Sequence, residues 1–161
     1  MRWFGATGRV VCHGVDYGLR LNWARVTSVP RGMRDFAMNT SRGLAAAGVL
    51  LSAVVHLDLW QQGFRDIHTI GPLFLLNALG GLIIGVALLV WRHWLPPVAA
   101  VGFGAATVVA FWISVTHGLF GVKETATGTP EVLAELAEYA AVFFGLAAAA
   151  LLWQAMRERT A

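Results

Sequence analysis

Cysteine is almost missing from this chain: Cys12 is the only one among 161 residues. An internal disulfide and any CxxC metal or redox site are therefore excluded, and cysteine usage is silent on redox compartment. Charge is scarce as well. Asp, Glu, Lys and Arg make up 13% of the residues, against about a quarter in an ordinary soluble domain. With 57% hydrophobic residues and a mean hydropathy of +0.63, the composition belongs to a membrane protein. No Walker A, GxSxG, GxGxxG or EF-hand pattern stands in the context it requires, and neither HxxxH nor HExxH occurs. Soluble-type enzyme chemistry is therefore not expected. The net charge of +3 does not point to nucleic acid, because the arginines gather toward the two ends, where a cytoplasmic bias places them.

What is present is four long apolar runs: Arg42–Trp60, Ile70–Trp91, Pro97–His117 and about Val132–Trp153. None has a wide polar face, and each is long enough, or nearly so, to cross a bilayer core of about 30 Å. The expected fold is all-α, a four-transmembrane-helix bundle with short loops occupying residues 40–161. Residues 1–39, with six arginines and no sustained period, read as a poorly ordered Arg-rich cytoplasmic tail. An overlong start is the alternative there, since Met33 and Met38 are both workable initiators. Cys12-His13 offers two metal ligands and a site needs more. Asn39-Thr40-Ser41 supplies N-cap chemistry for a first helix. The pair Pro96-Pro97 and the segment Phe120–Pro130 read as connections.

Small residues mark helix contacts. Gly81 and Gly85 form a GxxxG, Gly102 and Gly104 lie in the third run, and Gly145 in the fourth. They suit close packing inside the bundle or a homo-oligomeric seam.

Orientation follows from the short loops. Arg42, Arg92, Arg157 and Arg159 fall on one side, Arg65 and Lys123 on the other. Both termini are thus expected in the cytoplasm of a multi-pass plasma-membrane protein. The apolar parts of the first and fourth runs are too short to span alone. They must borrow residues that draw His56, Asp58, Glu135 and Glu138 into the outer half. Asn77, Ser114, His117, His68 and Arg65 fall at the same end, leaving the inner half with almost nothing polar. Ser52 shares a face with His56, Ser114 with His117, and Glu131, Glu135 and Glu138 form an i, i+4, i+7 stripe.

Three readings of this polar cap stay open. It can be structural, tying helix ends by hydrogen bonds. It can be a haem or divalent-metal site, with His56 and His117 as ligands and Glu138 or Glu135 as carboxylate partner. It can be a protonatable gate or small-substrate site, since ionisable groups at membrane depth normally face the interior and serve a purpose. The loop Gln61–Thr69 can lie over the cap, with Arg65 paired to Asp58, Asp66 or a glutamate.

The run His56…Trp60…Gly63-Phe64-Arg65-Asp66-Ile67…Ile70-Gly71-Pro72-Leu73-Phe74-Leu75-Leu76-Asn77 resembles the small four-helix integral membrane proteins of high-GC bacteria. The resemblance covers the region after Met38. It implies fold and membrane location and brings no activity, cofactor or catalytic residue with it. The expected function is non-enzymatic: a partner of a larger membrane complex, or a small-molecule handler with its site in the outer half. The alternative is a haem- or metal-binding redox accessory protein. The lipid bilayer is the one partner the composition itself requires.

Overall fold

The structure, a computed structural model, describes residues 30–121, 123 and 128–160. Among them the chain is all-α: α1 (Arg31–Gln61), α2 (Ile70–Val90), α3 (Leu95–Thr116) and α4 (Thr129–Thr160), with a single 3-10 turn at Phe64–Asp66. All four helices are long and apolar enough to cross a membrane. At 1.5 Å per residue, α2 and α3 are each about 32 Å long and match a bilayer core, whereas α1 and α4 reach about 47 Å and overshoot it.

The overshoot changes the expected boundaries. α1 starts at Arg31, not near Arg42, so residues 31–39 of the expected tail belong to a helix. Residues 1–29, including Cys12 and His13, lie outside the described residues. α1 and α4 hold one another beyond the apolar core. Arg34 Nη1 pairs with the Glu158 carboxylate, and Asn39 is not an N-cap but accepts a hydrogen bond from Arg92 Nη2 at 3.1 Å. Pro96 and Pro97 sit in the first turn of α3, where the missing N–H costs nothing. The helix therefore begins at Leu95, whose N–H is taken by His93 Nδ1 at 3.2 Å.

Short connections make consecutive helices antiparallel. One end of the bundle, the terminal end, collects the start of α1, the α2–α3 turn and the end of α4. The other, the loop end, collects the α1–α2 and α3–α4 connections. α1 packs chiefly on α4 and α2, and α4 also packs on α3, while α2 and α3 touch less.

The bundle is small inside and large outside. Its core cluster is Ala45, Ala46, Val49, Leu88, Ala100 and Ala141. Leu76, Ile83, Val90, Phe143 and Leu146 are all more than half exposed. That arrangement suits a lipid surround, which gives large apolar side chains no reason to turn inward and leaves close backbone packing to hold the helices together. A Cβ on Gly48 would stand 2.6 Å from the Ala137 carbonyl oxygen, and one on Gly104 would stand 2.8 Å from that of Glu138. These two glycines let α1 and α3 press against α4 on either side of Glu138. Gly81 and Gly85 face Ala53, Val49 and Leu50 of α1, so the GxxxG is used within the bundle.

The terminal end carries one deeply placed charge where almost nothing polar was expected. Arg42 is 5% exposed. Its Nη2 donates to the Leu88 carbonyl and, at 3.0 Å, to the Trp91 carbonyl. The last carbonyls of a helix have no partner within it, and Arg42 supplies one to the end of α2.

Candidate functional site

The polar groups of the loop end sort into two layers and a rim. In the first layer α1 and α4 meet. Ser52 and His56 lie one turn apart on α1, facing inward. Glu138, nine residues into α4, is about 13 Å from its start. Ser52 and Glu138 are completely or almost completely buried, and His56 is 8% exposed. Ser52 Oγ donates to Glu138 Oε1 at 3.1 Å, while His56 Nδ1 lies 2.9 Å from the carbonyl oxygen of Ser52. In the second layer α2 meets α3: Asn77 Nδ2 donates to Thr107 Oγ1 at 3.1 Å, and Thr107 Oγ1 donates back to the Phe103 carbonyl at 2.8 Å. Asn77 Oδ1 is buried without a partner.

A cavity of about 100 Å³ opens among the four helices at this level. Its polar groups are His56, Thr107, Ser114, Glu131, Glu135 and Glu138; its walls include Leu59, Ile70, Phe74, Phe111 and Leu119. Three carboxyl groups reach it from one helix because residues 131, 135 and 138 recur on a single face. Glu131 Oε2 and Glu135 Oε1 are buried and accept no hydrogen bond. Glu138 accepts a hydrogen bond from Ser52 through one oxygen.

Aromatic rings close one side. Phe74 stands 5.1 Å from the His56 ring and stacks on Phe64 at 4.8 Å. Phe64 belongs to the 3-10 turn, so the α1–α2 connection folds down onto a cavity wall. Gly63, at φ 133°, makes the reversal that an L side chain resists.

The remaining expected site residues form the rim. Asp58 is exposed and bound to Gln62 Nε2 at 2.6 Å. Arg65 reaches only the neighbouring Asp66, at 3.7 Å and in solvent, a weak pair. His68 is exposed. His117 is exposed too, because α3 ends at Thr116 and the ring turns to Thr116 Oγ1 at 2.7 Å. The face it was expected to share with Ser114 does not continue past the helix end. Asn77 lies behind Thr107, off the cavity lining. Thr107 was missed by the sequence reading. A signal existed, since residues 107, 111 and 114 repeat the same i, i+4, i+7 spacing as the glutamates.

The geometry bears on chemistry. His56, His117 and Glu138 do not come together, and among the described residues no three His, Cys, Asp or Glu side chains stand where they could hold a metal ion. Ser52, His56 and Glu138 also resemble a nucleophile triad only by composition. In a working triad the imidazole lies between hydroxyl and carboxylate. Here the hydroxyl donates straight to the carboxyl, and His56 Nδ1 lies 2.9 Å from the Ser52 carbonyl oxygen and 3.4 Å from Ser52 Oγ, so the imidazole does not stand between hydroxyl and carboxyl. What the arrangement offers is a small, mostly apolar chamber with hydrogen-bond acceptors left over. No protein-family model, curated protein or solved structure matches this chain.

Proposed function

We propose that this chain is a multi-pass protein of the bacterial plasma membrane, both termini in the cytoplasm, that binds a small molecule in the outer half of its bundle and performs no covalent chemistry on it. The observation that carries this reading is the cavity of about 100 Å³ lined from all four helices, with acceptor oxygens left unpartnered on its wall. Four apolar helices support the multi-pass arrangement. The orientation rests on the arginine bias, which puts Arg42, Arg92, Arg157 and Arg159 at the terminal end. Placement among the small four-helix membrane proteins of high-GC bacteria belongs to the same reading.

The cavity holds about two-thirds of the space of an engineered chamber of about 150 Å³ that accepts benzene, which sets a ligand of four or five heavy atoms. The test is thermal unfolding of the purified full chain with and without 1-butanol. The alcohol is expected to raise the midpoint of the wild type and to have no effect on Ala134→Leu or Ala110→Leu, each of which fills the chamber. Equal stabilisation of wild type and both filled variants would sink the reading. Reporter fusions at Thr160 and Gly121 test the orientation; an outward-facing Thr160 reverses it.

A further inference from the structure

We infer that the groove between α2 and α3 at the terminal end holds one anionic phospholipid, its acyl chain along the groove and its phosphate on the Arg92 guanidinium. The site lies at the opposite end of the bundle from the chamber and does not depend on what the chamber binds. The groove measures about 400 Å³ and is lined by carbon: Ile83, Ala87 and Trp91 on one side, Leu95, Val98 and Ala99 on the other. It stays open because α2 and α3 touch less than the other consecutive helices do, and Ala87 and Ala99 are too small to fill the gap. Val98 and Ala99 are exposed, so the groove faces outward, toward the lipid side of the bundle.

The turn at 91–94 closes the terminal end of the groove and supplies its charge. Arg92 is exposed, and its described partner is neutral, the Asn39 side-chain oxygen at 3.1 Å. Arg42 lies beneath, holding the Trp91 carbonyl one residue before Arg92. It is buried, and its Nε has no partner. Ion pairs among the described residues join Arg34 to Glu158 and Arg65 to Asp66, so neither guanidinium at this turn has a carboxylate. A buried charge ordinarily has a counter-ion, and here the space for one is outside the protein. The described part of the terminal end carries six arginines against two acids, Asp35 and Glu158. Trp91 stacks on His93 at 5.0 Å, and His93 meets Trp94 at 5.6 Å, which sets indole rings on both sides of Arg92 where headgroups lie. A guanidinium takes phosphate through paired N–H groups. A second copy of this chain suits the groove less well: two-fold pairing opposes like surfaces and, with the axis along the bundle, brings both copies of the cationic turn to one level.

The experiment is native mass spectrometry of the purified full chain in detergent, titrated with dioleoylphosphatidylglycerol and separately with dioleoylphosphatidylcholine. The first phosphatidylglycerol is expected to bind about tenfold tighter than phosphatidylcholine, and Arg92→Gln to cut that preference about fivefold, the worth of one arginine near an anionic surface. Arg157→Gln removes the same charge from the same end. Its guanidinium already lies 3.6 Å over the Trp153 ring, and the preference should be unchanged. Ala99→Leu fills the groove and should weaken both lipids. All three side chains are exposed, so the variants keep the packing of the bundle. Equal binding of the two lipids by the wild type overturns the site. Equal losses in Arg92→Gln and Arg157→Gln also overturn it, in favour of a diffuse effect of net charge. Unweakened lipid binding by Ala99→Leu removes the groove from the site; if glycerol phosphate then displaces the lipid, Arg92 binds free phosphate instead. A wild-type dimer that Ala99→Leu converts to monomer makes the groove a protein interface and refutes the lipid.

Discussion

The contact between α1 and α4 at Gly48 gives the sharpest test of the fold. Replacing Gly48 by Ala puts a methyl carbon 2.6 Å from the Ala137 oxygen and 2.9 Å from the Ala141 nitrogen. Both are backbone atoms, so the helices must part by several tenths of an ångström to restore ordinary contact. Overpacking of this kind costs about 1–3 kcal/mol. Gly43, on the same helix, has nothing within 4 Å of its would-be Cβ, and Gly43→Ala should gain up to about 1 kcal/mol from helix propensity. That intrinsic gain is common to both substitutions, so the difference between the variants isolates the helix contact at about 1–3 kcal/mol in favour of Gly43→Ala. Equilibrium unfolding in mixed detergent–dodecyl sulfate micelles, followed by circular dichroism, measures it. Two variants of equal stability would refute the close approach of α1 to α4.

Arg42→Met should cost about 1.5–3 kcal/mol by the same assay, because the Leu88 and Trp91 carbonyls lose a charged donor; an unchanged midpoint would mean that water already satisfies them. A double-mutant cycle of Ser52→Ala and Glu138→Gln should return a coupling of about 0.6 kcal/mol and not above about 1.7, and zero coupling would show that the 3.1 Å hydrogen bond contributes nothing. Thr107→Val alone should destabilise by about 1–3 kcal/mol, since it strands the Asn77 amide, whereas adding Asn77→Leu should recover most of the loss. If the double variant is no better than the single one, Asn77 has a partner other than Thr107.

The apolar runs made the four helices legible, and span length grouped His56, Glu135 and Glu138 at one end of the bundle, where they line one cavity. Rotation was harder. Length arithmetic places a residue along the axis but not around it, so His117 was grouped with His56 although it turns to solvent, whereas helical spacing already has His56 and Asp58 pointing apart. Helix ends were misplaced for a related reason. Arg34 falls in the expected tail and Glu158 beyond the fourth apolar run, yet each is the other's partner and the helices continue to meet there. Gly48 carried no motif of its own. Its meaning lies in Ala137 and Ala141, about ninety residues on, and only the assembled bundle brings them together. Arg42 was taken as a boundary marker because its acceptors, the carbonyls of Leu88 and Trp91, belong to the backbone and leave no trace in side-chain composition.

The broadest helix contacts in the bundle include that between α1 and α4, the first and last of the four. A ribosome delivers them in that order, so α1 is made long before its principal neighbour exists. Gly48, Ser52 and Arg34 each wait for a counterpart on α4. Until then Ser52 lacks its Glu138 partner, and the chamber has only three walls. The four-helix arrangement is therefore closed only when α4 is in place, and the cavity comes into being in that same step. A chain truncated before residue 129 would keep three helices long and apolar enough to cross a membrane, yet it would lack both its widest seam and every carboxyl group of its chamber.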